Sequence, residues 1–275
     1  LSFKYILMKT IYYYQSFCGL EKLFQRPQDI SVIIVSSIHF GSFKNEPYIH
    51  LNNNHPNSPV FDTVWEELTK LYYQGVTITA MIGGAGGAYE KLFSDFDTFY
   101  PLLKKFLKEK NYITGVDLDI EENVSIDNVK KLINRLIDDF GEDFIITMAP
   151  VSSTMIYDST SIAGFSYKEL YKSLEGRHIK WFNTQCYGCF NSSTYDKIIK
   201  NGYPPEKIVI GMISGDFSNN FNEALNEVKN IKNTYPTFSG VYNWEYIDSP
   251  PNTSDPSEWC KEMNALITTV PIMDL

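Results

Sequence analysis

Thr114-Gly115-Val116-Asp117-Leu118-Asp119-Ile120-Glu121 alternates apolar and acidic side chains through its last six residues. Successive side chains of a strand point to opposite faces, so Asp117, Asp119 and Glu121 share one face and Val116, Leu118 and Ile120 the other. A helix would scatter the acids, because alternate residues lie about 200° apart around its axis. The strand reading therefore lines up three carboxylates at spacings of about 7 Å within an apolar run. Such a row is costly unless a carboxyl keeps a proton or a cation lies against it.

Outward from this stretch, short apolar runs alternate with longer amphipathic ones. The strand candidates are Thr10–Phe17, Ser31–Phe40, Thr77–Ile82, Gly115–Glu121, Phe144–Pro150, Trp181–Tyr187, Ile208–Ser214 and Gly240–Tyr246. Near-continuous runs such as Val32-Ile33-Ile34-Val35 are the signature of parallel strands covered on their outer face. Between them, Ser125 caps a helix whose apolar face carries Ile126, Val129, Leu132, Ile133, Leu136, Ile137 and Phe140, and Gly141 ends it. Ser166 with Glu169 has the spacing of a capping box. Further helices are expected over Asp62–Tyr73, Tyr89–Glu109 (broken or kinked at Pro101), Ser193–Lys200, Phe221–Asn233 and Pro256–Leu266. Eight strand–helix units in 275 residues predict an α/β protein, a single-domain (β/α)8 TIM barrel, with a doubly wound open sheet as the alternative. The longest expected loop is Gly41–Pro59. Residues 1–7, ahead of Met8, are set apart as a leader or remnant, so the barrel is assigned to 8–275.

Composition narrows the function. A net charge of −9 disfavours nucleic acid and anionic membranes as main partners, since both need a basic surface. The 19 Tyr and 18 Phe suit an uncharged sugar, whose C–H faces stack on rings, although most aromatics in any chain are core. No stretch reaches the ~20 apolar residues of a membrane span. The first ten residues lack a small-residue cleavage signature, so localisation, secreted or cytoplasmic, is left open. Cys18, Cys186, Cys189 and Cys260 form no disulfide framework. Cys186-Tyr187-Gly188-Cys189 has redox C-x-x-C spacing, but its surroundings are not thioredoxin-like.

In a barrel, inward residues at the C-terminal ends of strands build the site. Glu121 should then project at the mouth with Asp117 deepest. Three adjacent carboxyls do not all ionise near neutrality, and a protonated one at a pocket mouth is a general acid. Solvation at a strand end, pairing with buried cations and divalent-metal ligation are the competing readings of the row. No His neighbours the row in sequence to support a metal. Gly83, Gly84, Gly86 and Gly87 fit no phosphate-binding spacing and read as a tight turn. His39, at the end of the second strand, reads either as facing the site or as packed.

Gly-Val-Asp-Leu-Asp-Ile-Glu resembles the D-G-x-D-x-D-x-E signature of family 18 glycoside hydrolases, the chitinases and endo-β-N-acetylglucosaminidases. Other segments are similar to that family's strands in order: Met81-Ile82-Gly83-Gly84 to its S-x-G-G motif, Ile146–Pro150 to its fifth strand, Gln185-Cys186-Tyr187 to its Q-x-Y, and Gly240–Trp244 to its eighth strand. The resemblance spans residues 9–266 and leaves no room for the α+β insertion that some members carry.

The resemblance implies retaining hydrolysis of β-1,4 linkages next to N-acetylglucosamine, with the substrate's own acetamido group as nucleophile and no cofactor or metal. Glu121 would be the general acid. Asp119 would hold the acetamido N–H, Asp117 would share a proton with Asp119, and Tyr187 would bond the acetamido group. Trp244 would form the sugar floor, Gln185 and Met148 the wall, and Gly83, Gly84 and Tyr14 would complete the substrate surface. The partner is thus an N-acetylglucosamine-containing polysaccharide or oligosaccharide, chitin or chitooligosaccharide. Action on glycan chitobiose cores, and a chitinase-like lectin that binds without cleaving, are the alternatives. Two positions depart from the pattern. Thr114 replaces the family's first Asp, on the face opposite the acids, and Gly188 follows Tyr187 where many members have Asn or Asp.

Overall fold

The computed structural model describes residues 8–160 and 162–268; the segment 1–7 set apart above, and the final residues 269–275, lie outside the described residues. The strands are Lys9–Tyr14 (β1), Val32–Phe43 (β2), Glu46–Leu51 (β3), Thr77–Gly83 (β4), Ile113–Asp119 (β5), Ile145–Met148 (β6), Ile179–Gln185 (β7), Ile208–Ile213 (β8) and Gly240–Trp244 (β9). Eight of them pair in the order β1-β9-β8-β7-β6-β5-β4-β2, and parallel β1–β2 pairing closes the ring. The result is a closed (β/α)8 barrel.

The helices are Asp62–Tyr73 (α1), Tyr89–Ser94 (α2), Phe96–Glu109 (α3), Ile126–Phe140 (α4), Ser152–Tyr157 (α5), Tyr167–Lys172 (α6), Ser192–Lys200 (α7), Phe221–Thr234 (α8) and Ser257–Thr268 (α9). Among the described residues, no helix is long and apolar enough to cross a membrane. The capping signals act as read. Ser125 Oγ accepts the Asn128 N–H at 3.2 Å, Gly141 ends α4 at φ 89°, and Ser166 Oγ accepts the Glu169 N–H at 3.2 Å. Val129, Leu132, Ile133 and Leu136 of α4 are buried against the barrel, each contributing about 1.5–3 kcal/mol.

Strand alternation divides the core in two. Ile11, Tyr13, Val32, Ile34, Met81, Trp181, Val209 and Tyr242 fill the barrel, while the alternate residues of the same strands, such as Tyr12, Ile33, Val116 and Phe182, pack under the helices.

Two expectations are corrected. The break in Tyr89–Glu109 falls at Asp95, not at Pro101. Asp95 starts α3 by accepting the Thr98 N–H at 3.2 Å on its carboxylate. Pro101 stays inside α3, where its missing N–H deprives only the carbonyl of exposed Asp97. The expected loop Gly41–Pro59 contains a hairpin: β2 runs on to Phe43, turns at Lys44-Asn45 and returns as β3, with Phe43 paired to Glu46. Lys44 and Asn45 have φ 50° and 66°, as a type I′ turn requires. Lys at the first turn position is not the usual hairpin signal, so the sequence alone does not announce this turn.

Candidate active site

Inside the barrel, β5 projects Asp117 and Asp119 from its inward face, and Glu121 follows two residues beyond the strand end at the mouth. Asp117 is 0% exposed and Asp119 5%. Each of the two meets a different environment.

Asp117 is saturated with donors. Tyr13 donates to Oδ2 at 2.7 Å, while Thr147 Oγ1 and Asn183 Nδ2 donate to Oδ1 at 2.5 and 2.9 Å. Burial pushes this carboxyl up, and the three donors oppose the rise. Among the described residues, the Asp119 carboxyl receives one donor, the Gln185 amide, at 3.1 Å. Burial first, then the neighbouring Glu121 and Asp117 charges, hold it well above the ordinary 3.8. Asp119 is therefore biased towards its protonated form beside Glu121. The same Gln185 nitrogen lies 3.5 Å from Glu121 Oε1 and donates to the Ala149 carbonyl at 2.9 Å, so one amide is aimed at both acids. Among the described residues, no group of three or more His, Cys, Asp or Glu stands as a cation cage would require, and both oxygens of Asp117 already serve protein donors.

The ring residues complete the wall. Tyr187, two residues past Gln185 on the same face, accepts the Tyr242 hydroxyl at 3.2 Å. Burial raises the Tyr187 phenol against the opposing hydrogen bond from Tyr242, so it is a neutral donor. Trp244 ends β9 with its ring 5.2 Å from that of Tyr13. Gly83 and Gly84 take φ 92° and 81° where β4 meets β5. A Cβ on Gly83 would strike the Asp119 carbonyl, and one on Gly84 would lie 3.3 Å from Asp119 Oδ2. Gly83 is required by this close approach to Asp119, and Gly84 by its positive φ and by the Met81 methyl, which its Cβ would strike.

Two expected site residues are elsewhere. Tyr14 faces the helix layer, where its hydroxyl accepts the Gly19 N–H at 2.9 Å, and the inward tyrosine of β1 is Tyr13. Met148 is likewise in the layer under the helices, and Thr147 is the inward residue of β6. In both cases alternation moves the neighbour to the opposite face. Thr114 is on the outer side, its hydroxyl donating to the Ile78 carbonyl at 3.3 Å beside a register shift between β4 and β5. The Gly188 N–H donates to Asp216 Oδ2 at 2.6 Å, so a carboxylate from the loop after β8 stands beside the departure at Gly188. His39 is tied down by Ser37 at 2.8 Å and the Gly87 carbonyl at 2.7 Å.

Tyr13, Thr147, Asn183 and Tyr242 are site residues that sequence reasoning missed. Asn183 shares the parity of Gln185 and Tyr187, and Thr147 pairs directly with Asp117, so a register argument could have found both. Glu122 was also missed. Its carboxylate accepts the Ala88, Tyr89 and Glu90 N–H groups, the last two at 2.6 and 2.9 Å, and so fixes the start of α2.

Solved structures share this architecture. A fungal endo-β-N-acetylglucosaminidase of glycosyl hydrolase family 18 matches with a TM-score of 0.84 and 29% identity over 95% of this chain and 99% of its own. A chitinase from Aspergillus fumigatus matches at 0.80 with 28% identity, over 94% and 99%. A family 18 chitinase from Pseudoalteromonas aurantia, 21% identical at a TM-score of 0.71 over 94% and 99%, shares the fold. No protein-family model and no curated protein matches the sequence.

Proposed function

We propose, for a chain that is a family 18 glycoside hydrolase, that it cleaves β-1,4 linkages next to N-acetylglucosamine, in chitin or chitooligosaccharides, with retention and with the substrate's acetamido group as nucleophile. The observation that carries this reading is the contrast between two adjacent aspartates. Asp117 takes three donors, whereas Asp119, beside Glu121, has one amide among the described residues and is pushed towards its protonated form by burial and its acidic neighbours.

The chemistry follows from that contrast. When an acetamido N–H approaches, Asp119 is most useful as a carboxylate, because it then accepts that hydrogen and offsets positive charge growing on the acetamido group. Its proton passes to Glu121, which the Gln185 amide holds alongside. Glu121 gives the proton to the glycosidic oxygen as the acetamido carbonyl oxygen attacks the anomeric carbon. The C–O bond breaks, and an oxazolinium forms. Tyr187 donates to the acetamido oxygen and fixes its line of attack. Glu121, now a carboxylate, takes a proton from water as the water opens the oxazolinium from the opposite face. Two inversions give net retention. Trp244, its ring tilted at 55° against that of Tyr13, supplies the apolar floor for the sugar ring.

The test is a product profile on chitin oligomers and on a high-mannose glycan. Release of β-configured N-acetylglucosamine oligomers from chitin oligomers supports the reading. Cleavage confined to the glycan core assigns the endo-β-N-acetylglucosaminidase activity instead. Binding without turnover makes the chain a lectin. Comparable hydrolysis of a substrate lacking the N-acetyl group rules out the acetamido nucleophile.

A further inference from the structure

Cys186-Tyr187-Gly188-Cys189 folds as a closed turn. The Cys189 N–H donates to the Cys186 carbonyl at 2.9 Å, and Gly188 takes φ 68° at the third position, where a type II turn demands glycine. Such a turn brings its first and last Cα atoms within about 7 Å, and disulfides span Cα separations of about 4.4–6.8 Å. Both cysteines are free thiols. Cys186 is buried, while Cys189 is half-buried with its sulfur 3.4 Å from Ser152 Oγ.

We propose that Cys186 and Cys189 form a site of reversible oxidation, a dithiol that closes to a disulfide around Tyr187 and displaces this tyrosine from the acid row. The displacement rests on the role given to Tyr187 above; the oxidation does not.

The two thiols are unequal in the way such a site needs. A hydrogen bond from the Cys186 thiol, with further help from Ser152 and Thr194, brings Cys189 down to about 6, whereas burial pushes Cys186 well up. Cys189 is thus the accessible thiolate and Cys186 the resolving thiol. The oxidant is a hydroperoxide. The Cys189 thiolate attacks the terminal peroxide oxygen, the O–O bond breaks, and the leaving alkoxide or hydroxide takes a proton from water. Cys189 is then a sulfenic acid. The Cys186 sulfur attacks it, the S–S bond forms, the S–O bond breaks, and the departing hydroxide leaves as water with the Cys186 proton. The two sulfurs lose two electrons, and the peroxide gains them.

Closing the bond to about 2.05 Å pulls the ends of the turn together and rotates the peptide planes on either side of Tyr187. The Gly188 hydrogen bond to Asp216 and the Tyr242 hydrogen bond to Tyr187 both lie on the moving segment. A misplacement of about 1 Å at a group that positions substrate costs on the order of 100-fold in rate.

The experiment oxidises the full chain carrying Cys18→Ser, which removes the exposed thiol, with hydrogen peroxide. The expected result is a mass loss of about 2 Da, a peptide joining Cys186 to Cys189, a fall in kcat of at least about tenfold, and recovery of both with dithiothreitol. Adding Cys189→Ser should abolish the mass loss and leave kcat insensitive to peroxide. Persistence of both thiols, or conversion of Cys189 to sulfinic acid with a gain of about 32 Da, overturns the oxidation site. A disulfide with unchanged kcat overturns the displacement of Tyr187. A chain with no turnover in either state overturns the hydrolase reading instead, and the masses still decide the thiol chemistry.

Discussion

The Tyr13 hydroxyl donates to Asp117 Oδ2 at 2.7 Å from 104 residues away in sequence, and its ring stands 5.2 Å from that of Trp244. One side chain of β1 thus braces both the deepest acid and the sugar floor. Tyr13→Phe keeps the ring contact and removes the hydrogen bond. Asp117 then loses one of three donors inside the barrel, and an unsatisfied buried acceptor costs about 1–3 kcal/mol. The expected outcome in urea denaturation is a lower midpoint with an unchanged slope. KM should stay within about twofold because Trp244 keeps its support, while kcat falls about tenfold as Asp117 shifts towards its protonated form. A KM effect larger than the kcat effect would show that the floor, not the acid, depends on the hydroxyl.

Glu121→Gln removes the group assigned to protonate the leaving oxygen while keeping its shape. General acid catalysis is worth about 10²–10⁴-fold. The variant should lose kcat by at least that much on a chitooligosaccharide reporter and still bind the oligosaccharide in calorimetry. Residual turnover within about tenfold of wild type would hand the acid role to another carboxyl.

Asp119 gives a pH prediction with a definite sign. The folded protein holds this carboxyl well above 3.8, chiefly by burial, so across that interval the native state binds a proton that the unfolded chain has released. Its contribution to stability is full below the unfolded value and is lost as pH rises through the folded one. The effect is bounded by about 1.4 kcal/mol per pH unit for one group. Asp119→Asn cannot titrate. Its unfolding free energy, compared with wild type from pH 4 upward, should gain on wild type as pH rises, while kcat falls at least 100-fold. A stability difference independent of pH would mean that Asp119 is ionised in the folded protein.

The barrel and the acid row were legible because both rest on periodicity. Alternation over Val116–Glu121 sets the inward face of β5 without reference to any partner, and Gln185 and Tyr187 follow by the same rule on β7. Tyr14 failed because Tyr12-Tyr13-Tyr14 carries no contrast between faces; three identical residues leave the register to the neighbouring strands. Met148 failed for a related reason. Its assignment followed a motif, whereas its pairing with Leu118 puts it on the helix side with that residue. Asn183 was within reach of the parity that gives Gln185 and Tyr187, whereas Thr147 shows itself only through its register against Asp117. The β2–β3 hairpin was missed because its turn is Lys44-Asn45, which pays with two positive φ angles for what Asn-Gly would give freely.

Thr114 offers a direct test of the face argument. Its hydroxyl donates to the Ile78 carbonyl at 3.3 Å, on the side of β5 away from Asp117 and Asp119. If the residue belonged to the acid row, Thr114→Asp would add a fourth negative charge to it, raise the neighbouring carboxyls further and shift the pH profile of kcat upward. On the outer face it does neither. The new carboxylate meets the Ile78 carbonyl with no hydrogen to share, so the variant should lose about 1 kcal/mol of stability. Its kcat/KM should remain within about twofold of wild type and its pH profile should not move. A change in kcat/KM beyond about tenfold, or a displaced pH limb, would show that position 114 communicates with the acids through the register shift between β4 and β5.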